Sequence, residues 1–192
     1  MTQHRLLNVL WCALLALCLS GCGPSLSKVV REAPGGGFVS VDSASAANIV
    51  SVTRNGVPVR VGVPLGLQKG DVIETGDGGA VLRLEYGEVV LAPRTRVRLG
   101  SIEVFFGKVF ASVKGLFRVE DDTVAADVEG TQFMFESIPG RGMRVVVLEG
   151  VVRCSSKADQ WTDLRVSAGR EMTLTRADAT HPRLGPDRKS VV

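Results

Sequence analysis

Few side chains in this sequence could carry out a reaction, and their scarcity narrows the choice. Histidine occurs twice, as His4 near the start and His181 near the end. A serine or cysteine nucleophile inside the main body of the chain therefore has no histidine base. No G-x-S-x-G elbow and no G-x-x-x-x-G-K-[ST] phosphate loop is present. Gly76-Asp77-Gly78-Gly79 fails the dinucleotide pattern at its third glycine. Zinc sites are built from Cys and His, and one late cysteine with one late histidine cannot make one. Two acidic groups remain: Glu120-Asp121-Asp122, and Asp71 with Glu74 and Asp77. Calcium takes about six to eight oxygens, but neither group has a calcium-loop spacing, and solvated hairpin tips account for both. Nothing marks a carboxylate pair of the glycosidase kind. The reading is a protein that is not an enzyme and holds no metal or cofactor. The one directional surface feature is Arg94, Arg96 and Arg98, spaced every second residue. On a strand they repeat every ~6.6–7 Å along one face. Such a row could meet anionic lipid headgroups, cell-wall polymers or an acidic partner. It is also an ordinary way of protecting an exposed strand from edge pairing.

The remaining chemistry is at the N-terminus. Residues 1–21 contain Arg5, no acidic residue, and an apolar run from Leu6 to Leu19 broken only by Asn8. At ~1.5 Å per residue the run is ~21 Å long as a helix, short of the ~30 Å core of a bilayer. A basic start, an apolar middle and small residues at the end describe an export signal. Leu19-Ser20-Gly21-Cys22 resembles the bacterial lipobox, which places a diacylglyceryl group on Cys22 and a further acyl chain on its new amino terminus. One chain anchors only marginally, at ~0.8 kcal/mol per buried CH₂, whereas several hold firmly. Lipid on Cys22 is thus the only covalent group expected. Gly23 in place of an aspartate leans toward the outer membrane, facing the periplasm, in a Gram-negative source.

Loss of residues 1–21 removes one basic and no acidic residue, leaving a net charge of about +2. That is too balanced for a nucleic-acid surface. Cys12 and Cys18 leave with the leader, Cys22 is modified, and Cys154 remains as a single thiol, so no intrachain disulfide forms.

Residues 22–37 read as a lipidated flexible tether, opened by Gly23 and Pro24 and closed by Pro34-Gly35-Gly36-Gly37. Residues 177–192 read as a disordered tail. Between them, 38–176 form one domain. The chain has 30 valines, and glycines recur at intervals that leave room for strands of about five to eight residues. Thr95, Val97 and Leu99 alternate with the three arginines. Ala80, Leu82, Leu84 and Tyr86 share one face, and Phe133 pairs with Phe135 on another. Cys154 reads as a small core residue and Trp161 as a cap on the core. Asp42–Asn48 reads as a loop or a loose edge strand.

Four stretches together resemble the FecR domain, a periplasmic domain named for a ferric citrate signalling regulator. They are Lys69-Gly70-Asp71-Val72-Ile73-Glu74-Thr75-Gly76; Ala126-Asp127-Val128-Glu129-Gly130-Thr131-Gln132-Phe133; Val147-Leu148-Glu149-Gly150-Val151-Val152; and Ala168-Gly169-Arg170. The resemblance covers about 40–175 and implies an all-β fold of many short strands, solenoid-like or sandwich. Gly70, Asp71, Thr75, Gly76, Gly130, Thr131, Phe133, Gly150 and Gly169 are then structural residues: Gly76 and Gly87 in tight turns, Gly130 at a bulge or close approach, Phe133 as a core anchor. Glu129 stands where the family commonly has arginine. A lipoprotein signal also replaces the regulator's cytoplasmic region and membrane helix, so sigma-factor contact does not carry over. The expected function is a non-catalytic binding or assembly module of the cell envelope, facing envelope protein or peptidoglycan. A sensory accessory in envelope signalling and a cryptic carbohydrate hydrolase are the alternatives.

Overall fold

The computed structural model describes residues 23–186. Cys22 and the leader lie outside the described residues. The all-β class holds: sixteen strands form one curled antiparallel sheet, a half-barrel. In chain order they are β1 (Ser25–Glu32), β2 (Phe38–Ser40), β3 (Val50–Arg54), β4 (Val57–Val59), β5 (Leu65–Gly66), β6 (Val72–Thr75), β7 (Gly78–Leu84) and β8 (Gly87–Leu91). Then follow β9 (Arg96–Arg98), β10 (Ile102–Glu120), β11 (Val124–Ile138), β12 (Gly142–Glu149), β13 (Val151–Ser156), β14 (Leu164–Ser167), β15 (Arg170–Thr175) and β16 (Arg183–Pro186).

The departure from short strands is the β10–β11 hairpin, whose arms are 19 and 15 residues long. The glycine spacing leaves room only for short strands, yet Gly107 and Gly115 lie inside β10, and Gly130 lies inside β11 at the expected bulge. The register slips between Val113 and Leu116, opposite Gly130. Before the slip, β10 pairs with β9 and β8 on one side and with the second half of β11 on the other. After it, β10 pairs with the first half of β11, which also takes β13. The hairpin is folded over at Lys114–Gly115, and each long arm serves both halves of the molecule.

The tip of the folded hairpin is fastened to the far end of β11. Ser137 Oγ donates to Asp121 Oδ2 at 3.0 Å. Asp121 Oδ1 accepts from the Thr123 and Val124 amides and from Thr123 Oγ1, at 2.8–2.9 Å. Ser101 Oγ, just before β10, lies 3.4 Å from Glu120 Oε1 at its end. The molecule thus has two poles, the bend at Lys114–Leu116 and the mouth at Asp121 and Ser137. The core fills the space between, with Phe133, Phe135, Leu82, Leu91, Ile102 and Met172 fully buried. Phe133 is the anchor that was expected, and Cys154 is buried in the same core.

Several expectations are corrected. Residues 25–32 are not tether but β1, paired with β2, β5 and β7, with Leu26 and Val29 fully buried. Its alternation is hidden by a bulge between Leu26 and Lys28, and Pro34–Gly37 is the turn into β2, closed by Ala33 N–H to Gly37 C=O at 2.9 Å. The tail is ordered through Pro186, because β16 pairs with β15. Ser43–Ala46 is a short helix, α1, with Asp42 as its cap: the Ser45 amide donates to Asp42 Oδ1 at 2.7 Å. Gly76 is not in a positive-φ turn; its amide donates to Ile49 C=O at 2.7 Å. Asp71 and Asp121 are buried, not solvated.

Two of these interior glycines, Gly107 and Gly130, differ in what a side chain would meet. Gly107 has φ +98°, and a Cβ there would lie 2.5 Å from Thr95 Cα and 2.7 Å from the Arg94 carbonyl oxygen. Gly130 has φ +60° with open space around it. Gly130→Ala therefore costs only the left-handed strain, ~1–2 kcal/mol. Gly107→Ala adds a backbone collision and costs about 3 kcal/mol or more. Urea unfolding of the two variants should place them in that order.

Candidate functional site

The motif residues hold the sheet together. Asp71 accepts from Arg54 Nε and Nη2 and from the Gln68 amide, each at 2.8 Å, with its side chain fully buried. The Arg54 guanidinium, with the Gln68 amide in support, holds the Asp71 carboxyl below the usual range against the cost of burial. The preceding residue, Gly70, donates its amide to Leu99 C=O at 2.6 Å. Thr75 Oγ1 donates to Ala92 C=O at 2.6 Å and accepts from the Thr95 amide at 2.9 Å. Thr95 Oγ1 in turn accepts from the Lys108 amide at 3.0 Å. Two buried threonines thus tie β6, the entry to β9, and β10. Thr131 Oγ1 lies 3.2 Å from Glu129 C=O and 3.3 Å from Val151 C=O, clasping the Gly130 bulge beside Gly150. Gly169 turns β14 into β15 and donates to Val147 C=O at 2.9 Å.

The arginines are placed differently from expectation. Thr95, Val97 and Leu99 are buried and the arginines exposed, as the alternation requires. However, β9 is not an edge strand: it lies between β6 and β10. Arg94 is not part of it and has φ +55°. Each arginine has an acidic partner: Arg94 with Asp77 at 3.0 Å, Arg96 with Glu74 at 3.5 Å, Arg98 with Glu103 at 2.8 Å. Arg96 and Arg98 also stand over the Phe105 ring, at 5.6 and 5.0 Å from its centroid. The row is electrically balanced, so its positive field falls away quickly with distance.

Glu103 and Phe105 continue into a groove, a hollow of about 480 Å³ at the mouth. Phe105, Ile138, Trp161 and Leu174 supply apolar wall, and Asp122 and Arg176 supply charge. Trp161 packs on the core while lining this hollow. The lining comes from β10, the tip of the hairpin, the end of β11, the loop after β13 and the end of β15. Of these residues, Trp161 and the acidic tip were visible in the sequence; the rest are brought together only by the fold-over. The groove contains carboxylates, but Asp121 already accepts from four donors and Glu103 is paired with Arg98. Among the described residues no cluster of three or more His, Cys, Asp or Glu is placed to hold a metal ion.

No protein-family model matches the chain, and no curated protein matches it. Two crystal structures described as a "putative anti-sigma factor" from Parabacteroides distasonis ATCC 8503 are similar in part. The first, at 1.65 Å resolution, has a TM-score of 0.45 and 17% identity, over 52% of this chain and 51% of its own. The second, at 2.50 Å, has a TM-score of 0.41 and 16% identity, over 64% of this chain and 58% of its own. A likeness at this level assigns no function.

Two titrations follow. Because folding lowers the Asp71 pKa, its stabilisation is complete above the unfolded value of 3.8 and is lost as pH falls through the lower folded value. Asp71→Asn should cost about 3 kcal/mol near neutrality, and the gap to the parent should close in acid unfolding below pH 3.8. Burial pushes the Cys154 thiol up to about 12, with Asp127 and Asp163 adding to the effect. A maleimide at mildly alkaline pH should leave it unlabelled until denaturant is added.

Proposed function

We propose that this chain is an exported, lipid-anchored and non-catalytic binding module of the cell envelope, with a domain of the FecR type, and that its mouth groove receives the partner. The observation that carries this reading is the contrast between the groove and the chemistry around it. Of the carboxylates that line the groove, Asp121 and Glu103 are bound into the fold, and Asp122 is exposed at the hairpin tip. The apolar wall of Phe105, Ile138, Trp161 and Leu174 forms a hollow at one pole. Large aromatic side chains in a recess supply most of the affinity in many interfaces. The lipobox at Cys22 supports attachment to a membrane, and the four motif stretches support the domain type.

The partner is an envelope protein or peptidoglycan. Phe105→Ala with Trp161→Ala should weaken binding about tenfold, ~1.4 kcal/mol, or more. The measurements are co-sedimentation of the full protein with isolated peptidoglycan, and in-cell photo-crosslinking to protein from Thr162, the exposed residue next to Trp161. An unlabelled Cys154 certifies that the variant is folded. Unchanged sedimentation and unchanged crosslinks in a folded variant would remove the groove as the binding site.

A further inference from the structure

Strand β1 begins at Ser25, so only Gly23 and Pro24 separate Cys22 from the sheet. Pro24 is itself fixed, its carbonyl accepting from the Leu67 amide at 2.8 Å. Three residues reach at most ~11 Å when fully extended. A lipid on Cys22 therefore places the start of β1 against the bilayer, with no slack to hold the domain away.

The register shows which surface lies there. Ser25 pairs with Arg83, Arg83 with Glu88, and Glu88 with Ser112, just before the bend. The β7–β8 turn carries Tyr86, whose carbonyl accepts from the Lys114 amide at 2.8 Å. The start of β1 is thus at the bend pole, and the groove is at the other. This pole exposes large apolar side chains: Leu116 is 79% exposed, Leu148 56% and Tyr86 55%. Arg83 and Lys114 stand among Glu85, Glu88 and Glu129, so the pole has no strong positive field, and apolar contact has to dominate.

We infer that the bend pole, centred on Leu116 and Tyr86, rests on the lipid surface and that the mouth groove faces away from the membrane. Leu116 reaches the boundary between headgroups and acyl chains, the depth of ~5–10 Å that the apolar face of an interfacial helix occupies. Tyr86 sits at headgroup level, where its ring is in apolar surroundings and its hydroxyl in water. The short link makes the orientation fixed, so a partner reaches the groove from the side opposite the membrane. This orientation rests on lipidation of Cys22.

The test uses the full lipidated protein in vesicles of phosphatidylethanolamine and phosphatidylglycerol, with and without doxyl-labelled lipid. A bimane is attached at Leu116→Cys in one preparation and at Thr162→Cys in another, and buried Cys154 stays unlabelled while the protein is folded. The doxyl lipid should quench the probe at 116 about twofold or more, as expected for a side chain in the interfacial layer, and leave the probe at 162 unchanged. Equal, weak quenching at both positions on protein that still floats with the vesicles would overturn the orientation and leave the anchor standing. A blue-shifted probe at 116 without quenching would assign the pole to a protein partner or a second copy, and would also overturn it. Protein that does not float and takes up no palmitate analogue would overturn the anchor itself.

Discussion

The rest of the molecule depends on one constraint, that the β10–β11 hairpin is folded back on itself. A strand of 19 residues is far longer than the five or six common in globular sheets, and left straight it would have one face too long to cover. The slip opposite Gly130 allows the fold, and the Asp121 carboxylate fastens it to Ser137. Each arm then changes partners along its length, so one hairpin organises both halves and encloses the core. The groove exists because the tip of the hairpin and the end of β11 meet at the same pole.

The same constraint settles where charge is used. Asp71, Asp121 and the threonines at 75 and 95 satisfy backbone and side-chain donors that the curled sheet would otherwise bury unpaired, and the Thr131 hydroxyl donates to backbone carbonyls. The arginines at 94, 96 and 98 are each matched by an acid from a neighbouring segment. Exposed pairs of this kind contribute little to stability, ~0–1 kcal/mol each. Their effect is to keep the surface beside the groove neutral, which leaves the apolar wall as its main feature.

Much of the fold was legible in the sequence where side chains alternate without interruption. Thr95, Val97 and Leu99 were assigned to the interior from period two alone, and Phe133 and Phe135 likewise. The local meaning of glycine is ambiguous: the spacing of Gly107 and Gly115 suggests strand ends and both lie within a strand, whereas Gly130 is at a bulge, as its motif implies. Strand β1 was hidden by a bulge and by flanking glycine and proline, and its partner β7 begins some fifty residues later in the chain. The groove was the least legible part. Phe105, Ile138 and Leu174 belong to no motif in the sequence, and only the fold-over makes them neighbours.

The fold-over is tested most directly by the distance between spin labels at Asp122→Cys and Ile138→Cys, two exposed positions that line the groove beside the Asp121–Ser137 contact. A folded hairpin holds the two backbones within about 15 Å, whereas a straight one, at ~3.3 Å per residue, parts them by about 45–50 Å. A single short distance is the predicted result, and a distribution centred near the longer value would contradict it.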